Sequence, residues 1–112
     1  MIEDILRDFL ADSLSHPVYL TVPKDHPGEY YVLERTGGSR TNFIWESVFA
    51  LQSYGETLSR AADMIMDANR VMMDELIKLD DISKVEINGV SNFTDTSKRI
   101  SRYQSVFVIT HY

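Results

Sequence analysis

Histidine, aspartate and serine are the residues of this chain best suited to chemistry, and their spacing decides what they can do. The three histidines are His16, His26 and His111. None stands four residues from another and none belongs to an HExxH-like unit, so neighbouring residues build no helical metal pair. A metal site assembled from distant segments stays open, with surface or strand-end histidines the better reading. Asp25, Asp80-Asp81 and Asp95 are the carboxylates that acid–base catalysis would draw on. All fall in expected loops or just past a helix, where aspartate serves as turn former and cap. Ser13, Ser15, Ser47 and Ser53 have no G-x-S-x-G context. Cysteine is absent, which removes thiolate zinc sites, disulfides and cysteine nucleophiles. Gly37-Gly38 follows a strand but precedes no helix and fits no phosphate-loop pattern, so a hairpin turn is expected there. No catalytic, metal or cofactor-binding residue is assigned. The Asn92-Phe93-Thr94 glycosylation pattern reads as chance in an intracellular chain.

Charge is distributed more suggestively. Lys98, Arg99 and Arg102 cluster around Asp95, while Glu3, Asp4 and Asp8 lie on the first helix and Asp63, Asp67 and Asp74 on the second. A solvated basic loop is the plain reading, and a loop that docks on acidic surfaces is the sharper one. Exposed ion pairs contribute only ~0–1 kcal/mol each, so such charges would set register while apolar contacts supply affinity. The net charge of −6 argues against a nucleic-acid binder, because phosphate neutralisation draws on a basic excess. Met66 and Met73 fall towards an acidic helix face, where they suit an adaptable protein contact. Aromatic residues make up 11% of the chain, a type enriched at protein interfaces.

The elements that must position these residues follow from periodicity. With 112 residues, 44% of them hydrophobic, one domain can bury one core. Ile2, Ile5, Leu6, Phe9, Leu10 and Leu14 form a helical stripe, expected to pack through Ile5, Phe9 and Leu10 and stopped before Pro17. A short strand is expected over 18–22, an exposed loop over 23–29, and a second strand over 30–36. The Gly37-Gly38 turn opens a mobile six-residue loop to a third strand over 42–52, apolar on both faces and expected to be central and covered on both sides. Ser53 and Glu56 have capping-box spacing, opening a helix that runs to about Leu79. A strand over 84–90 with a turn or bulge at Asn88-Gly89, a polar loop over 91–101, and a strand over 102–111 complete the chain. The fold class expected is α+β: a mixed, mostly antiparallel sheet of about five strands flanked by two helices, in the order α-β-β-β-α-β-β. The acidic start lacks the basic and apolar regions of a signal peptide, and no apolar run approaches the ~20 residues of a membrane span.

Tyr31-Val-Leu-Glu-Arg-Thr-Gly-Gly38, Leu51-Gln-Ser-Tyr54, Leu58 with Ala61-Ala62, Asn92-Phe-Thr-Asp95 and Arg102-Tyr-Gln104 occur in this order. In that order they resemble the tail-terminator (tail-completion) proteins of long-tailed phages and prophages of Gram-positive bacteria, also called minor capsid or tail-component proteins. The resemblance runs over nearly the whole chain. It implies a non-enzymatic virion protein that forms a ring, typically a hexamer, at the head-proximal end of the tail tube. The ring would end tube polymerisation and present a surface to the head–tail connector. The partners implied are other copies of the chain, the tail tube protein and the connector, with DNA passing through the bore without being held. An acidic wall suits such passage, since like charge repels phosphates. The alternative from another class is a small α+β enzyme or ligand-binding domain, with a pocket between sheet and helix lined by Trp45, Tyr31 and Tyr103.

Overall fold

The computed structural model describes residues 2–25, 27–98 and 100–112. The elements run α1 (Ile2–Ser13), β1 (Val18–Tyr19), β2 (Tyr30–Thr41), β3 (Ile44–Gly55), α2 (Leu58–Asp74), β4 (Ile82–Asn92) and β5 (Ser101–His111), with one 3-10 turn at Leu76–Lys78. The order and the α+β class are those expected from the sequence. The five strands lie in the order β1-β2-β3-β5-β4, parallel between β1 and β2 and antiparallel elsewhere.

Both helices pack on the same face of this sheet. Their buried Leu6, Leu10, Ile65, Ala68 and Met72, with Leu14 just past α1, meet Tyr31, Leu33, Phe49, Leu51, Phe107 and Ile109 from the strands in one cluster. At its centre Phe49 and Phe107 stack with centroids 5.6 Å apart. β3 is central, as expected, but helices cover only one of its faces. On the other, Tyr30, Val32 and Tyr54 form a small cluster with Tyr19 and Ile100.

The sheet outruns the helices. Twelve residues of β3 span about 40 Å. The twelve of α1 reach only about 18 Å and the seventeen of α2 about 26 Å. The whole chain is accordingly elongated, 44 × 25 × 24 Å.

Several boundaries differ from the sequence reading. Gly37 and Gly38 are not the hairpin turn; they lie within β2, next to a bulge between Arg35 and Gly37. The turn is Asn42-Phe43, between the paired residues Thr41 and Ile44, and both turn residues have positive φ, 51° and 66°. Such a two-residue turn matches strand twist and usually carries Asn-Gly. Phenylalanine in its second position costs about 1–2 kcal/mol of backbone strain. Residues 37–41 of the expected mobile loop are therefore ladder-paired strand, and Asn42 belongs to the turn. The capping box does not form either. Thr57 is the N-cap, accepting from the Arg60 amide at 3.1 Å. Ser53 is instead buried in β3 and donates to the Ala61 carbonyl at 2.6 Å. Ser53 stays in β3 because the strand runs on to Gly55, whose missing Cβ lets α2 approach: a Cβ there would sit 2.5 Å from the Ala61 nitrogen. α2 closes at Asp74 rather than Leu79, and β1 has two residues rather than five. The bulge at Asn88-Gly89 is present, as a register shift between Ile87 and Gly89.

Ile5, expected inward, is 46% exposed, while Phe9 only flanks the core. The buried stripe of α1 is Leu6 and Leu10, continued by Leu14 just past its end, because the helix packs near the β1–β2 margin of the sheet and only a narrow row points down. Leu58, also expected inward, is exposed in the first turn of α2. Met66 and Met73 are exposed, as their helical positions require.

Candidate assembly surfaces

Of the basic cluster, Lys98 lies in the connection between β4 and β5, at one end of the sheet, and Arg102 is the second residue of β5. The connection is shorter than the expected polar loop, because β4 runs on to Asn92 and β5 begins at Ser101. Asp95 organises it by accepting from the amides of Ser97 and Lys98 and from the Ser97 hydroxyl, at 3.1, 3.2 and 2.7 Å. These donors hold its carboxyl below the usual aspartate value. Asp95 and Ile100 also pair as a bridge. Lys98 is exposed. Arg102 is not a solvated loop cation: its Nε donates to the Phe93 carbonyl at 2.6 Å and its Nη1 to the Tyr54 hydroxyl at 3.2 Å. Its guanidinium also lies over the Phe93 ring, 4.6 Å from the centroid. Arg99, the third member of the cluster, lies outside the described residues, as does His26.

The acidic partners are spread over the helices. Glu3 binds Arg35 of β2 at 3.2 Å. Asp4 is exposed on the same turn, and Asp8 pairs with the adjacent Arg7. On α2, Asp67 pairs with Arg70 at 2.9 Å, whereas Asp63 and Asp74 are exposed. The basic and acidic patches thus occupy different parts of the subunit surface. Among the described residues no three His, Asp or Glu side chains are grouped as metal ligands would be.

The helix-free face of the sheet carries a row of apolar residues. Val48, Val106 and Val108 are half-buried there beside the buried Val32 and Ala50. Gln52 and Gln104 bridge the rows by a 3.1 Å hydrogen bond. Tyr30 and Tyr54 stack at 4.5 Å. Both sheet margins are also open among the described residues. β1 pairs only with Tyr31 and Val32, which leaves Leu33 to Thr41 of β2 without a strand on their outer side, and β4 is terminal.

Trp45, Tyr31 and Tyr103 do not line one pocket. Tyr31 and Tyr103 flank Ser53 in a single cross-strand row, whereas Trp45 lies eight residues along β3, about 27 Å away. Tyr31 donates to the Met64 carbonyl at 2.8 Å, and burial raises its hydroxyl pKa. Tyr103 packs against the main core. Trp45 instead borders a cavity of about 380 Å³ beyond the start of α1, with Ile2, Ile5, Asp81, His111 and Tyr112 among its walls. There the inner face of the sheet is roofed by stacked side chains rather than by helix. Arg35 and Arg40 lie 5.7 and 5.5 Å over the Trp45 ring, and Trp45 stacks on His111. His111 is buried and lies 2.8 Å from the Ser47 hydroxyl. This end is not legible in the sequence, because its members come from α1, β2, β3, the residue before β4 and the last two residues of the chain.

No family model matches the chain, and no curated protein matches it. No helix of the described residues is long and apolar enough to cross a membrane.

Proposed function

We propose that this chain is a ring-forming subunit of a phage tail, placed at the head-proximal end of the tail tube, where it ends tube growth and offers a joining surface to the connector. The observation that carries the reading is the half-covered sheet. One face is covered along much of its length by both helices, while the other presents Val48, Val106 and Val108 around buried Val32 and Ala50, with open strands at both margins. An apolar face of this kind, with different surfaces at the two edges, suits head-to-tail contacts repeated around an axis. Separation of exposed Lys98 from exposed Asp63 and Asp74 lets one subunit's basic end face its neighbour's acidic helix. The resemblance of the ordered segments between Tyr31 and Gln104 to tail terminators supplies the biological setting: the virion, with assembly in the host cytoplasm. A net charge of −6 leaves a bore through which DNA slides.

Sedimentation over a concentration series, with electron microscopy of the largest species, tests this reading. Closed rings that bind tail tube protein, six-membered as the resemblance implies, are the expected result. Lys98→Glu should weaken assembly more at low salt than at high salt, because exposed charges are screened. A chain that stays monomeric and ignores tube protein overturns the proposal.

A further inference from the structure

Val18-Tyr-Leu-Thr-Val22 alternates as a strand does, yet β1 holds only its first two residues. β1 pairs in parallel with β2 through Val18–Tyr31 and Tyr19–Val32 and then leaves the edge. Leu20 and Val22 are left 38% and 55% exposed. Beyond Val32 the β2 edge offers three regularly placed residues, Leu33, Glu34 and Arg35, before the bulge between Arg35 and Gly37. Three residues of strand-forming sequence, Leu20, Thr21 and Val22, stand before Pro23, which has no amide to donate. Free edge and free segment therefore adjoin and have the same length. The hydrogen-bond phase agrees as well. The Tyr31 amide donates to the Pro17 carbonyl at 2.9 Å, so alternate residues of β2, Leu33 and Arg35 among them, turn their peptide groups towards this edge. Continued in register, the Thr21 amide donates to the Leu33 carbonyl and the Arg35 amide to the Thr21 carbonyl. The next donor falls at Pro23, where the ladder must end.

We infer that residues 20–22 are a strap that closes onto the open edge of β2, lengthening β1 from two paired residues to five. Val18 is buried in the main core, and Tyr19 packs with the cluster on the opposite face. By the two-residue period of a strand, Leu20 and Val22 join Val18 on the face where α1 packs, which takes their apolar surface out of water. The length of chain allows this. A closed Val22 lies beside Arg35, about 17 Å from Tyr30, and the eight steps from Val22 to Tyr30 reach about 26 Å. Glu29 keeps its hold on Arg60, so the far end of the connection does not move. A closed strap occupies the regular part of the β2 edge, where a strand from another chain would otherwise add, and so gates that margin. The strap does not depend on whether the subunit forms rings.

The chain has no cysteine, so a pair of introduced thiols reports the register directly. In the closed strap Thr21 lies opposite Glu34 with Cα atoms about 4.8 Å apart, inside disulfide range, whereas Leu20 lies on the other face from Glu34. Thr21 and Glu34 are both exposed, which leaves the fold intact on substitution. In dilute protein, Thr21→Cys/Glu34→Cys should oxidise within one chain at least tenfold faster than Leu20→Cys/Glu34→Cys, read by mass spectrometry. In the oxidised first variant the Arg35 amide should exchange with solvent at least tenfold more slowly than in its reduced form. Equal oxidation of the two pairs marks a segment that swings without pairing, and overturns the strap. Failure of the first pair to oxidise overturns it too, as does an Arg35 amide indifferent to the bond. Disulfides that join two chains instead put a second copy on this edge and equally refute the intrachain strap.

Discussion

Arg60 grips the Glu29 carboxylate through two guanidinium nitrogens, Nη2 to Oε1 at 2.9 Å and Nε to Oε2 at 3.2 Å. The same carboxylate accepts from the Glu56 amide at 3.2 Å and lies 3.3 Å from His16 Nε2. One side chain therefore joins the loop before β2, the start of α2 and the segment after α1. Bidentate geometry and the backbone donor make this a more directional link than the surface pairs Asp67–Arg70 and Glu75–Lys78.

Acid should release that link. The Arg60 hydrogen bonds, and next the Glu56 amide, push the Glu29 pKa from its ordinary value of 4.5 down to about 2. A depressed carboxylate contributes stability that is complete above its unfolded value and is lost as pH falls towards its folded one. The Glu29 share of stability should therefore disappear between about pH 4.5 and 2. Urea midpoints of the parent and Glu29→Gln across that window check this. The parent should fall more steeply, and parallel curves would refute the assignment.

Gly37 and Gly38 should respond oppositely to alanine. A Cβ on Gly37 meets nothing within 4 Å, so Gly37→Ala should be neutral or stabilise by up to about 1 kcal/mol through the unfolded chain. Gly38 has φ +154° and a Cβ would lie 2.7 Å from the Glu46 carbonyl oxygen. Gly38→Ala should destabilise by about 1–3 kcal/mol. Thermal unfolding of the two variants decides between this placement and a glycine turn, which would make both substitutions costly.

Periodicity was enough to predict the element order, because long apolar alternations such as 43–51 and 103–111 leave few alternatives. It misplaced the hairpin tip because Gly-Gly is the stronger local turn signal, and only the paired ladder from Tyr30–Tyr54 to Thr41–Ile44 puts the bend at Asn42-Phe43. Ser53–Glu56 misled for a related reason: capping spacing is local, whereas Ser53 is committed by tertiary contact with Ala61. Among the candidate surface residues, Lys98, Asp63 and Asp74 are exposed, as charged side chains ordinarily are. Arg102 could not be read as tethered, since Tyr54 lies 48 positions earlier in the chain.

The α1 stripe should show a graded response. Leu10 is fully buried, Phe9 flanks the core and Ile5 is 46% exposed. Leu10→Ala should cost about 2–5 kcal/mol, Phe9→Ala less than its size suggests, and Ile5→Ala under about 1 kcal/mol. Denaturant unfolding of the three variants measures the order. An Ile5 loss equal to that of Leu10 would mean the helix is rotated from its described position.

Arg102 and Lys98 belong to one charge cluster in sequence and should separate in experiment. Removing the Arg102 side chain leaves the Phe93 carbonyl and the Tyr54 hydroxyl without their donor and takes a cation from the Phe93 ring. Charge-assisted bonds of this kind contribute about 1.5–3 kcal/mol when part-buried, so Arg102→Ala should destabilise the subunit by about 1–3 kcal/mol. Lys98→Ala removes an exposed side chain whose backbone amide still serves Asp95, and should change stability by less than about 0.5 kcal/mol. Arg102 is therefore unsuited to a charge-reversal test of assembly, because any loss of rings would mix with loss of fold. Urea unfolding under dissociating conditions isolates the subunit term. Equal, negligible losses for both variants would show that the Arg102 contacts are idle and return it to the same class as Lys98.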